Sequence, residues 1–187
     1  MIEVLETRLP GCLELQPAVY RDIRGSFVKP FALSEFESLG LSTTWRELFY
    51  SQSTSGVVRG LHFQEPPAAQ DKLVQCIVGS VFDVVVDLRA GSPTFGEFEV
   101  FALDDEKCSA VYMPVGFAHG FATISTDATL AYLVSNEHDP TRDAGLRWDS
   151  LSIPWPVDRP VVSERDRGLP RFADYDTPFV FESSLSG

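Results

Sequence analysis

Apolar and aromatic residues fall in short runs broken by Gly, Pro, Asn and Asp, a spacing that predicts many short strands rather than helices. In the clearest run, 81–89, Phe82, Val84, Val86 and Leu88 share one face while Asp83, Val85 and Asp87 share the other. Residues 72–78 form a second β-rich run. Gly79-Ser80 between the two predicts a hairpin, since glycine accepts positive φ at little cost. Further strands are expected at 27–31, 49–53, 57–63, 97–103, 110–113, 120–124 and 128–135. That number suits an all-β, double-stranded β-helix jelly roll with one or two short helices. One helix is expected within ALSEFESLG (32–40), with Ser34 as N-cap, Glu37 completing a capping box and Gly40 as the stop.

Proline density over 154–160 predicts a rigid loop, followed by SERDRG and an acidic, aromatic tail. With no internal repeat or low-complexity linker, one domain over 1–187 is expected, with 173–187 loosely patterned and the final SSLSG disordered. The 187 residues are 44% hydrophobic, enough for a core without staples. Acids outnumber bases 27 to 15, and the net charge of -12 argues against nonspecific binding to nucleic acid or anionic membrane. An anionic ligand must therefore meet a local basic pocket. Cys12, Cys76 and Cys108 are too few and too scattered for a disulfide framework or a Cys-x-x-Cys metal pair. MIEVLETRLPG holds no apolar leader, and no uncharged stretch approaches the ~18 residues of a membrane span. A soluble, cytoplasmic protein is expected.

There are three histidines, each to be weighed against an ordinary packed or surface role. His62 lies in VVRGLHFQ with Arg59 and Gln64, and Lys72 follows closely; a purely structural strand gains nothing from that grouping. A metal cupin needs clustered imidazole or carboxylate ligands, but the position two after His62 is Gln64, and His119 and His138 have no partner at ligand spacing. No metal is expected. Proton transfer at carbon suits the same residues better, because neutral imidazole, with a free pKa near ~6.5, is a competent base. Asp83 or Asp166 would orient it, Lys72 would stabilise an enolate, and Tyr132 in ATLAYLVS would return a proton from the other face. Arg59 and His62 have opposite parity in a regular strand, so a bulge at Gly60 is expected to bring both to one pocket.

DIRGSF, GVVRGLHFQ, QDKL, GSVFDVVVDLRAGSPTFG, MPVGFAHGF, AYLVS, GLRWD, IPWP and SERD together resemble the dTDP-4-dehydrorhamnose 3,5-epimerases, dimeric cupin-class jelly rolls. The resemblance implies inversion at C3 and C5 of a nucleotide-linked 4-keto-6-deoxy sugar without metal or redox cofactor. It makes His62 the base, Tyr132 the proton donor and Asp166 the residue that orients the base, with Lys72 and Asp83 lining the pocket. It brings Arg59 and His119 to the diphosphate and sugar, and Arg24 to the nucleotide from the partner of a homodimer with exchanged N-terminal strands. Gln64, Lys29, His138, Asp143 and Arg165 complete the candidate substrate contacts.

Departures cluster at the nucleotide. Lys29 stands where the family usually has glutamate, Glu47-Leu48-Phe49 where it has Gln-x-Asn, Glu137-His138 where it has paired tyrosines, and Asp143 where it has glutamate. The expectation is kept chemistry with a changed base, sugar pattern or both. Epimerisation at C3 alone, a non-catalytic sugar-nucleotide module and a metal cupin are the rival readings.

Overall fold

The computed structural model describes residues 1–182. Two antiparallel sheets face each other. The first contains β1 (Ile2–Glu6), β2 (Leu13–Pro17), β5 (Glu47–Thr54), β7 (Lys72–Val78), β10 (Ala110–Met113) and β12 (Asp127–Val134), in the order β1-β2-β10-β7-β12-β5. The second contains β6 (Val58–Gln64), β8 (Ser80–Asp87), β9 (Phe98–Asp104), β11 (Phe117–Thr123) and β13 (Asp143–Gly145), in the order β13-β6-β11-β8-β9. From β5 to β12 every connection except β8 to β9 passes from one sheet to the other, which defines the expected jelly roll.

Period-2 alternation sorts side chains into three layers. Val81 and Val85 of β8, with Phe117 and Phe121, meet Val74, Cys76, Leu130, Tyr132 and Val134 between the sheets. Phe82, Val84 and Val86 point the other way, into a cluster with Leu61, Phe63, Leu146, Ile153 and Phe179. β8 is thus buried on both faces, as its dense apolar run requires. The C-terminal segment supplies that outer cover: Ala90 and Val180 form a parallel bridge, Thr177 donates to the Leu88 carbonyl, and Tyr175 donates to Glu65. On the far face of the first sheet, Phe36 of α1 (Leu33–Ser38) packs edge-on against Phe31, Trp45 and Tyr112. Cys12, Cys76 and Cys108 are buried free thiols. Among the described residues no helix is long and apolar enough to cross a membrane.

Three expectations are corrected. β7 and β8 do not form a hairpin, because β7 already pairs with β10 and β12, and β8 with β11 and β9, so neither has a free edge. Gly79, with φ 76°, turns the corner between sheets instead. Ser34 is not the N-cap of α1: the helix begins at Leu33, two residues before that cap would place it, with Ala32 at the cap and no side-chain cap bond, its position set by burial of Phe36. The strand expected at 27–31 is only β4 (Gly25–Val28), paired solely with β3 (Val19–Asp22) in a ribbon apart from both sheets. Residues 154–160 hold no helix or strand, as their prolines dictate. The disorder expected for SSLSG lies outside the described residues.

Candidate active site

β6 carries the irregularity that its sequence foreshadows. Opposite β11, His119 pairs with His62 and Phe121 with Arg59, so two residues of β6, Gly60 and Leu61, face the single Gly120. This bulge shifts the alternation by one. Val58 packs outward before it, Leu61 and Phe63 pack outward after it, and Arg59 and His62 both line one cavity of about 270 Å³. Gly60 has φ 130°, a conformation glycine adopts without strain.

The opposing sheet completes that cavity with Lys72 of β7, Phe49 and Ser51 of β5, and Tyr132 of β12. His62 and Tyr132 therefore reach one space from opposite walls. An adjoining cavity of about 380 Å³ shares Phe49, His62, Lys72 and Arg165, and adds Glu47, Gln64, Gln70, His138 and Asp143.

Asp166 sits in a four-residue helix, α2 (Glu164–Arg167), whose N-cap Ser163 accepts from the Asp166 backbone N–H at 3.0 Å. Its carboxylate does two jobs: Oδ1 accepts from His62 Nε2 at 2.8 Å, and Oδ2 accepts from Gly60 N–H at 3.2 Å. One group thus fixes both the imidazole and the bulge that aims it, and Nδ1 is left as the basic nitrogen. Burial alone would raise the Asp166 carboxyl, but the hydrogen bond and charge of His62 and the Gly60 N–H outweigh it and hold the carboxyl below its ordinary range.

Lys72 donates to the His62 carbonyl at 3.1 Å. Burial lowers its ammonium to about 8 against the opposing pull of Asp143 and Asp83, leaving it charged at neutral pH. Burial pushes the Tyr132 phenol far above its ordinary range, so it keeps its proton. The ring stacks on Phe49, with centroids 4.7 Å apart and planes 8° apart, and meets the edge of His119 at 5.9 Å.

The remaining candidates divide. His119 lines the inner cavity and donates to Asp83 Oδ2 at 2.7 Å, which puts Asp83 behind the wall as a partner of His119, not of His62; its Oδ1 is buried without a partner. Arg59 donates to Ser53 Oγ and the Gln52 carbonyl. Arg165 pairs with Asp143 at 2.6 Å. Gln64 is already saturated: its amide donates to the Ala68 and Glu137 carbonyls and accepts from Asp139 N–H, so it braces the cavity wall. Arg24, on the exposed β3–β4 turn, pairs with Asp22, and Lys29 lies beside Met1, Ser34 and Glu35. Neither lines these cavities within one chain. Among the described residues no group of three His, Cys, Asp or Glu is placed to hold a metal ion.

The sequence marks Phe49 only as a departure from the family pattern and does not mark Ser51. The signal was present in the alternation of ELFYSQST, where Glu47, Phe49, Ser51 and Ser53 share the inward parity and Leu48 and Tyr50 are exposed.

A jelly roll with an oriented imidazole and a proton-bearing phenol on facing walls belongs to the cupin-type isomerases. Comparison narrows the class: residues 6–174 match the profile of the dTDP-4-dehydrorhamnose 3,5-epimerase family. The dTDP-4-dehydrorhamnose 3,5-epimerase of Shigella flexneri is 40% identical over 178 residues, covering 94% of this chain and 98% of that protein. A dTDP-4-dehydrorhamnose 3-epimerase of Streptomyces niveus is 43% identical over 162 residues, 85% of this chain and 78% of its own length. The crystal structure of dTDP-6-deoxy-D-glucose-3,5-epimerase from Legionella pneumophila, in complex with dTDP-4-keto-L-rhamnose, superposes with a TM-score of 0.93 at 31% identity, covering 98% of this chain and 100% of that one. The chain belongs to the dTDP-4-dehydrorhamnose 3,5-epimerase family.

Proposed function

We propose that this protein inverts C3, C5 or both of a nucleotide-linked 4-keto-6-deoxyhexose, in deoxysugar biosynthesis. The observation that carries the reading is the placement of His62, oriented by Asp166, and Tyr132 on opposite walls of one cavity. His62 Nδ1 takes the proton from the carbon beside the ketone, and the C–H electron pair moves through the new C=C bond onto the carbonyl oxygen. The Lys72 ammonium stabilises that enolate. Tyr132 then gives its hydroxyl proton to the same carbon from the opposite face, after which solvent takes the extra proton from the His62 imidazolium and returns one to the Tyr132 phenolate. Arg59 and His119 supply donors for the diphosphate and sugar.

In D₂O, dTDP-4-keto-6-deoxyglucose is expected to gain deuterium at C3, at C5 or at both, and His62→Ala to abolish the gain. Incorporation at C3 alone marks a 3-epimerase, the activity named for the Streptomyces niveus relative. Binding without any exchange marks a non-catalytic module. Glu47, Phe49 and His138 line the outer cavity, where the nucleotide lies in this reading, and they set which base is accepted. A thermal-shift series with thymidine, uridine, cytidine and guanosine diphospho-sugars ranks the bases, since a ligand of the folded state raises its stability.

The ribbon of β3 and β4 leaves Tyr20, Ile23 and Phe27 exposed, which supports a homodimer in which this arm exchanges and carries Arg24 and Lys29 to the partner's cavity. Light scattering on dilution tests it: a monomer at all concentrations would remove the arm's role. Three free buried thiols support a reducing, cytoplasmic setting.

A further inference from the structure

Phe49 and Tyr132 are register partners on adjacent antiparallel strands. Every other aromatic pair among the described residues is tilted by 43° or more, whereas these two rings lie 8° from parallel. Phe49 lines both cavities and is 41% exposed, while the phenol beneath it is 7% exposed. The phenylalanine therefore takes the solvent-facing position on one face of the phenol. His119 meets the same ring edge-on, so the phenol is confined from two directions. The charged and titratable groups around it are Arg59 and His62 of β6, Lys72 and Cys76 of β7, Asp83 of β8 and His119 of β11. No aliphatic side chain presents a flat face that fixes a ring plane in this way.

Resting on the acid–base reaction above, we propose that Phe49 is a positioning residue. Laid flat on Tyr132, it fixes the plane of the proton-donating phenol and screens it from the outer cavity, so that the enolate is quenched on the face opposite His62. Without that support the phenol drifts from the carbon it must reach, and a misplacement of about 1 Å costs on the order of 10²-fold in transfer rate. The His62 imidazolium, its proton exchanged for deuterium from solvent, then returns a deuteron to the original face. The sugar gains a label without changing configuration.

The test compares the wild type with Phe49→Leu, Phe49→Ala and Phe49→Tyr, using dTDP-4-keto-6-deoxyglucose in D₂O. Two products are counted: labelled sugar of unchanged configuration and labelled, inverted sugar. The ratio of the first to the second is expected to rise about tenfold or more in the leucine and alanine variants. Phe49→Tyr, which keeps a flat ring, is expected to retain the wild-type ratio. Exchange persisting in the leucine variant also certifies a folded site. A leucine variant with the wild-type ratio, or exchange and inversion falling together, overturns the proposal. Absence of label in the wild type with the thymidine, uridine, cytidine and guanosine diphospho-4-keto-6-deoxyglucoses alike defeats the reaction assignment itself, and the role of Phe49 with it.

Discussion

Gly60 and Gly120 touch so closely across β6 and β11 that a side chain on Gly60 would stand 2.6 Å from the Gly120 Cα, and one on Gly120 would stand 2.7 Å from the Arg59 carbonyl. These two glycines make the bulge possible, and the bulge brings Arg59 and His62 to one cavity. Gly60→Ala is expected to cost about 3 kcal/mol by overpacking and backbone strain, read as a lowered denaturant midpoint. Activity is expected to fall in the refolded variant as well, because the parity of His62 depends on the same contact. A stability within about 0.5 kcal/mol of wild type would show that the strands part easily there.

Asp166→Asn is expected to lower kcat by about 10²- to 10⁴-fold with KM little changed. The amide occupies the same space but cannot stabilise the imidazolium that forms on proton abstraction. The same substitution tests acid stability. Because the native Asp166 carboxyl titrates below its ordinary range, it contributes stability above that range, lost as pH falls through the lowered value. The asparagine variant should lack this component of acid unfolding.

Lys72 must be charged to stabilise an enolate, and its ammonium titrates at about 8. The rate is therefore expected to fall as pH rises through about 8. Lys72→Arg should move this basic limb to higher pH, since guanidinium stays protonated. Lys72→Met should remove the limb and lower the rate by about 10²- to 10³-fold. A pH profile unchanged in the arginine variant would take the lysine out of that role.

Gln64 joins Ala68, Glu137 and Asp139 through its amide, so its loss should appear as instability rather than weakened binding. Gln64→Leu leaves the buried Ala68 carbonyl, the partly buried Glu137 carbonyl and the Asp139 N–H unpaired and is expected to cost about 2 kcal/mol, roughly 4–8 °C in Tm. A normal Tm with a raised KM would return Gln64 to the substrate contacts.

Legibility in the sequence followed the strength of the local pattern. The strands expected at 72–78 and 110–113 appear with the same bounds, because their apolar alternation is dense and both are central. β1, β2, β3 and β13 escaped, being five residues or fewer with charged or weakly alternating side chains. The false hairpin at Gly79 arose because a turn signal shows that the chain bends but not which strand edges remain free. His62, Lys72 and Tyr132 converge as expected, since Gly60 marked the needed change of parity. The choice between Asp83 and Asp166 was not local: it depended on where α2 docks, which only the folded chain reveals. Nor could type or spacing distinguish the saturated amide of Gln64 from a free one.

His62, Tyr132 and Asp166 lie on β6, β12 and α2, and the two sheets must close and α2 must dock before the three can act together. During synthesis the base leaves the ribosome first, the phenol much later and the orienting carboxylate last. A chain that ends before residue 166 thus has the imidazole of His62 but lacks the carboxylate that holds it.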